Sequence, residues 1–257
     1  MSLPGGRAAI LLGLGIGLQA GMAHASAWPM AKGEGQVIAK FEAMRAKEAY
    51  DPDGRSFDLL GERRDRAVSV LTEYGLSDRV TLQIKGEWQS GRDGQQSFEG
   101  RGPIEIGARW AVFQGEKSVV SLYGGYSQSG DTRNAGYADT GQGERDVEFR
   151  ILAGRGGERL FAEVQAARRL RDGLPDETRM DLTLGYHANA DWMVMGQVYM
   201  GVTDDNASGF RALWTTSEIS AVRRFGPWNG QAGWRSSLAG RSTPDAHGPV
   251  LAIWRRF

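Results

Sequence analysis

Cysteine is absent from the 257 residues, which removes disulfides, thiol nucleophiles and cysteine metal sites together. An excess of either charge is absent as well. The 31 Lys+Arg balance 31 Asp+Glu, so total charge gives no reason to expect nucleic acid. Long apolar runs are also missing. The longest, Ala8 to Ala20, is about 13 residues and falls well short of the ~20 that a spanning helix requires. Histidine is scarce, with His187 and His247 alone beyond the first 25 positions. Glycine, in contrast, is abundant at 37 residues, which suits turns and curved strands better than helices.

The start of the chain has the pattern of a secretory signal. Arg7 supplies a positive n-region, Ala8 to Ala20 the apolar stretch, and Ala23-His24-Ala25 a small-residue cleavage site, with Ala25-Ser26-Ala27 as a second option. The expected organisation is a signal peptide over 1–25 (or to Ala27), a short N-terminal periplasmic segment over 26–33, and one β domain over 34–257.

Beyond Gly35 the dominant signal is a period of two. Val80, Leu82, Ile84, Gly86 and Trp88 alternate with Thr81, Gln83, Lys85, Glu87 and Gln89. Ile104 to Phe113 and Met180 to His187 repeat the pattern. About twelve such segments recur, near 35–45, 65–74, 79–90, 102–113, 118–128, 145–155, 159–170, 178–188, 192–203, 210–225, 230–240 and 248–257. Most approach the ~9–11 residues of a tilted membrane strand and exceed the ~5–6 typical of soluble proteins.

Tight connections such as Gly75-Leu76-Ser77-Asp78, Gln114-Gly115-Glu116-Lys117, Gly156-Gly157-Glu158, Asn189-Ala190-Asp191 and Gly226-Pro227-Trp228-Asn229 alternate with longer polar stretches. The latter are Ala46 to Arg64, Gly91 to Arg101, Ser129 to Glu144, Arg171 to Glu177, Asp204 to Gly209 and Ser242 to His247. Short turns at one end and long loops at the other are the pattern of an outer-membrane barrel, with both termini on the turn side. The pairs Arg63-Arg64, Arg168-Arg169, Arg223-Arg224 and Arg255-Arg256 all fall at expected strand ends, where an outward arginine costs least. Aromatics gather there too: Tyr74, Phe113, Trp192, Phe225, Trp228 and Phe257 by the turns, and Trp88, Tyr126 and Phe210 by the loops. The expected fold is therefore all-β: an antiparallel transmembrane barrel of about 12 strands in the outer membrane.

The last residues, Leu251-Ala252-Ile253-Trp254-Arg255-Arg256-Phe257, resemble the C-terminal signal by which outer-membrane barrels are recognised for assembly. Leu251, Ile253 and Phe257 match its positions and Arg255 departs from it. Glu73-Tyr74-Gly75-Leu76-Ser77-Asp78-Arg79-Val80-Thr81, and Trp28-Pro29 with Lys32-Gly33-Glu34-Gly35-Gln36, are similar to the transporter-like barrels of phenol-degradation operons and to barrels of exopolysaccharide and adhesion operons. The resemblance implies a passive barrel whose partners are outer-membrane lipids and the barrel-assembly machinery.

Fixing each strand by its apolar face turns Lys40, Glu42, Lys85, Glu87, Glu105, Arg109, Glu148, Arg150, Glu163, Arg169, Arg179, Asp181, Glu218, Arg224 and Arg235 inward. Such a lining suits passage of a polar or amphiphilic small solute; equally, a satisfied charge network can fill a narrow lumen. The alternative is a non-conducting component of a surface-polysaccharide or adhesion system.

Catalytic patterns are weak. His247 has Ser242 and Asp245 nearby in sequence, His187 has no adjacent serine, and the pair Glu87 and Glu105 is explained by neighbouring bases. Asp172, Asp176 and Glu177, and Asp51-Pro52-Asp53-Gly54, lack the form of a calcium loop, and Gly154-Arg155-Gly156-Gly157 reads as a hairpin turn. No enzyme activity, cofactor, metal or nucleic-acid partner is expected.

Overall fold

The computed structural model describes residues 27–94, 96–128, 130, 145–205 and 211–257. The expected signal peptide and Phe210 lie outside these residues. Twelve strands account for most of them: β1 (Gly35–Tyr50), β2 (Ser56–Ser77), β3 (Val80–Asp93), β4 (Gln96–Gln114), β5 (Ser118–Gln128), β6 (Arg145–Gly156), β7 (Leu160–Arg171), β8 (Glu177–His187), β9 (Trp192–Thr203), β10 (Leu213–Phe225), β11 (Trp228–Arg241) and β12 (Thr243–Arg256). Each pairs with its neighbours in sequence, and β1 pairs with β12, closing the barrel. The last residue completes the seam: Gly35 N–H donates to the Phe257 carbonyl at 2.8 Å, and Phe257 N–H returns the bond at 2.9 Å. Closure leaves no strand edge, which a bilayer core demands.

Alternation sorts the side chains as the sequence predicts. Val68, Val70, Leu82, Ile84, Ile104, Ile106, Phe149, Ile151, Leu182, Leu184, Ile219, Leu251 and Ile253 are exposed on the outer face. So continuous an apolar surface needs lipid against it. Tyr74, Phe113, Trp192, Phe225, Trp228 and Phe257 stay exposed at the turn end, and Trp88 and Tyr126 towards the other. Two arginines at the turn end lie over such rings, Arg223 at 5.4 Å from Trp192 and Arg255 at 5.6 Å from Trp228. Their guanidinium groups thereby avoid the hydrocarbon.

Three of the expected long loops are strand instead. β1 and β2 run on through much of 46–64, leaving a turn at 51–55; β3 and β4 consume most of 91–101; and β12 starts at Thr243, inside the stretch 242–247. Arg63 and Arg64 accordingly sit within β2 and not at its end. Pairing continues past the membrane here, where both faces meet water and the apolar alternation disappears. β1 to β4, at 14 to 22 residues, thus form a tall wall, while β5 to β9 have 11 or 12.

Candidate functional site: a charged lumen with one mouth occupied

The barrel interior is built from the inward positions of all twelve strands. Lys40, Glu42, Glu105, Arg109, Glu148, Arg150, Glu163, Arg169, Arg179, Glu218 and Arg235 are buried there. Lys85, Glu87 and Asp181 face inward and are half-buried. Arg224 is the exception among the residues expected inside. It has inward parity but sits at the last rung of β10, paired with Asn229 on β11 and beyond the last β9 partner, so its side chain is 57% exposed and lies 4.0 Å from Asp191 in the neighbouring turn.

The buried charges form two networks. In the first, Glu148 on β6 accepts from Arg150, from Arg169 at 2.7 Å and from Arg179. Glu105 on β4 accepts from Arg150 at 2.8 Å and from the Tyr123 hydroxyl at 2.5 Å, and lies 3.5 Å from Arg169. The Tyr123 ring fits because Gly107, on the same inward face of β4 as Glu105 and Arg109, has no side chain; a Cβ there would stand 2.2 Å from the Tyr123 hydroxyl. Asp181 accepts from Gln165 at 2.6 Å. In the second network, Arg235 on β11 reaches Glu218 at 2.6 Å and Glu42 at 2.9 Å. Lys40 lies 3.0 Å from Glu42 and 3.8 Å from Glu218, and Arg235 covers the Tyr199 ring at 4.5 Å. Buried charges persist only when paired and hydrogen-bonded, and here opposite signs on neighbouring strands satisfy one another.

Sequence reasoning missed several members of the lining. Glu73 on β2 accepts from Gln36 and Gln83 and pairs with Arg109 at 3.0 Å. Arg171 pairs with Glu177 at 2.7 Å and Asp146 at 3.8 Å. Strict parity along β2, β6 and β8 marks Glu73, Asp146 and Glu177.

The larger omission is the N-terminal segment, expected merely on the periplasmic side. It turns into the barrel mouth at the turn end and is held there. Ala27 N–H donates to Glu163 at 3.0 Å, and the Ala27 carbonyl accepts from Ser121 at 2.6 Å. The Trp28 carbonyl accepts from Arg109 at 2.9 Å, and Met30 N–H donates to Thr81 at 2.8 Å. The Trp28 indole packs against two inward apolar clusters, one containing Met193, Met195 and Trp254, the other Ala111, Val119 and Leu152. It lies so close to the β6 backbone that a Cβ on Gly154 would meet the ring at 2.2 Å. At the opposite end a cavity of about 680 Å³, counting its part open to solvent, is lined by Glu42, Arg63, Asp65, Glu87, Phe98 and Arg235 among others.

Chemistry elsewhere in the barrel is already engaged. His247 accepts from Arg45 at 3.2 Å and stacks on Trp234, while His187 packs beside Phe161. Glu87 is 3.7 Å from Lys85, and Glu105 belongs to its arginines. Among the described residues no group of three His, Asp or Glu is placed to hold a metal ion. Leu251, Ile253 and Phe257, expected to form an assembly signal, are exposed on the outer face.

No protein-family model and no curated protein matches the sequence. Solved structures do. The COG4313 outer membrane channel of Pseudomonas putida F1 superposes with a TM-score of 0.77 at 15% identity, covering 90% of this chain and 98% of that one. The KdgM porin, solved with disordered oligogalacturonate, gives 0.52 at 8% identity over 86% and 99% of the two chains. The translocator domain of the autotransporter NalP from Neisseria meningitidis gives 0.51 at 11%, over 88% and 89%. This chain has the fold of outer-membrane β-barrels. With its closed sheet and apolar exterior, it belongs in the outer membrane, surrounded by lipid.

Proposed function

We propose that the protein is a non-catalytic outer-membrane channel for passive passage of polar or amphiphilic small solutes. The observation that carries this reading is a charged interior between two mouths: a cavity at the long-strand end is lined by Glu42, Glu87 and Arg235, and residues 27–30 are hydrogen-bonded within the mouth at the turn end. The inward charges named above would line the path and set its preference. Their mutual pairing leaves a lining near electrical balance, which suits zwitterionic or uncharged polar solutes better than a strongly charged one. The channel named for Pseudomonas putida F1 and the porin KdgM have comparable barrels, which supports a channel over a surface-polysaccharide or adhesion component. The similarity of Glu73 to Thr81 to the transporter-like barrels of phenol-degradation operons is consistent with small-molecule uptake.

On the same reading, signal cleavage falls after Ala25. Cleavage after Ala27 would remove the groups that bond to Glu163 and Ser121. Assembly through the barrel-assembly machinery would read Leu251, Ile253 and Phe257.

The test is conductance in planar bilayers, with the mature chain and a form lacking residues 27–33. Small or intermittent conductance in the first and a several-fold rise in the second are expected. A folded barrel that stays closed in both forms would overturn the channel.

A further inference from the structure

The tall wall carries charge on its outer face as well, and there the signs do not balance. The last apolar outward rung on β1, β2 and β3 is Phe41, Val68 and Trp88, which stand directly opposite one another. The next outward rung holds Arg66 opposite Ser90, and the one beyond it Arg45, Arg64 and Arg92. His247 on β12 extends this row, opposite Arg45. All four arginines are exposed, as is Lys47 beside them. Directly opposed residues bring their Cβ atoms to ~4.5–5.5 Å, and like charges at that separation repel. A fold has no reason to keep three arginines in one rung unless something negative sits on them.

The chain itself supplies little. Glu62 hydrogen-bonds Arg64 and lies in the field of Lys47 and Arg45. Glu99 stands opposite Ser90. Glu48 and Asp58 face one another further out, towards the tip. Arg92 donates to the Gly94 carbonyl at 2.9 Å and has no carboxylate partner among the described residues; the same holds for Arg66. The opposite side of the barrel differs: outward Arg168 is held by Asp204 at 2.6 Å and Asp176 at 3.0 Å.

The position of the row identifies what covers it. It starts immediately above Trp88, with Trp234 stacked on His247 at the same border, and such rings mark the edge of the hydrocarbon. Groups at that height meet lipid headgroups. The outer leaflet of this membrane is built from a glycolipid whose diglucosamine headgroup bears phosphates, and arginine binds phosphate through paired, charge-assisted hydrogen bonds. We infer that Arg45, Arg64, Arg66 and Arg92, with Lys47, form a docking site for the phosphorylated headgroup of the outer-leaflet glycolipid, whose acyl chains would lie on Phe41, Val68 and Trp88. The test does not depend on conduction, since Arg45, Arg64 and Arg92 lie on the other face of the sheet from the charged lumen.

The experiment uses the full mature barrel in a neutral detergent, titrated with bis-phosphorylated lipid A. Binding is read by native mass spectrometry and by the temperature at which the compact unboiled band is lost. Lipid A should bind and raise that temperature, and added NaCl should weaken binding. The triple variant R45Q/R64Q/R92Q should lose on the order of tenfold or more in affinity, as expected for three lost phosphate contacts, while R168Q binds normally. Dephosphorylated lipid A and inorganic phosphate alone should fail to reproduce the effect. Equal binding by the triple variant, equal binding of the dephosphorylated lipid, or full substitution by inorganic phosphate would each overturn the site. If the triple variant does not fold, the wild-type salt dependence decides: binding indifferent to NaCl refutes it.

Discussion

Inside the barrel, one carboxylate, Glu148, draws Arg150, Arg169 and Arg179 together, while on the outer face of β1 to β3 the arginines 45, 64 and 92 share a rung with Glu62 as their nearest acid. Both sets stand on a continuous antiparallel ladder, so backbone geometry does not separate them. Solvation does. The inner set is withdrawn from water and must be neutralised by the protein itself. The outer set faces a headgroup layer that brings its own negative charge. Inner charges are thus part of the fold, and on the outer face of the tall wall Arg66 and Arg92, which have no carboxylate partner among the described residues, are left for a ligand. Removing a charge should therefore have opposite consequences on the two faces.

The largest effect is expected at Glu148. Glu148→Ala leaves three buried guanidinium groups short of a partner, and breaking a buried pair in this way costs about 3–5 kcal/mol. The unboiled band should convert to the unfolded position at a markedly lower temperature than in wild type. An unchanged midpoint would mean that water inside the lumen already solvates the arginines.

Glu218→Gln should cost less, about 1–3 kcal/mol, the range for leaving buried groups partly unsatisfied. Lys40 and Arg235 both retain Glu42, at 3.0 and 2.9 Å, so neither is stranded. The same heat-modifiability assay should rank E218Q between wild type and E148A. A larger loss than at Glu148 would overturn this ordering of the two networks.

On the outer face the sign reverses. Arg92→Gln relieves repulsion with Arg64 and gives up no ion pair, so in detergent free of lipid A it should be neutral or stabilising by about 0.2–1 kcal/mol. A clear destabilisation would show that the outer row, like the inner one, is held within the protein.

The inner face was largely legible in the sequence because lipid enforces alternation: once Leu82, Ile84 and Trp88 face out, Lys85 and Glu87 must face in. Legibility failed wherever lipid does not reach. Beyond the membrane edge β1 to β4 and β12 keep their pairing while both faces become polar, so residues 46–50, 56–64 and 243–247 read as loop although they are strand. Arg224 failed for a related reason, since parity gives the direction of a side chain but not whether barrel wall still surrounds it. The segment Ala27 to Met30 had no periodic signal at all. Most of its bonds come from backbone groups, and any residue supplies those. Of the outer row, Arg64, Arg92 and Lys47 read as polar loop, while Arg45 and Arg66 fell at the ends of expected strands; only register places the arginines opposite one another.

The smallest expected effect lies at Arg168, an outward arginine that the protein neutralises with two carboxylates. Its hydrogen bond to Asp204, beyond the end of β9, holds that carboxyl below the usual aspartate range. A carboxyl with a depressed folded-state value adds stability above its unfolded value of about 3.9 and loses it as pH falls through the lower, folded one. Asp204→Asn should therefore lie slightly below wild type in thermal midpoint at pH 5 to 7, the two curves converging as the pH falls below the unfolded value and through the lower, folded one. Asp176 would still hold Arg168, and the pair is open to water, so the gap should be small and should close in high salt. A gap that persists in acid would place the role of Asp204 in loop packing instead of charge, and Arg168 would no longer be the neutralised counterpart of Arg92.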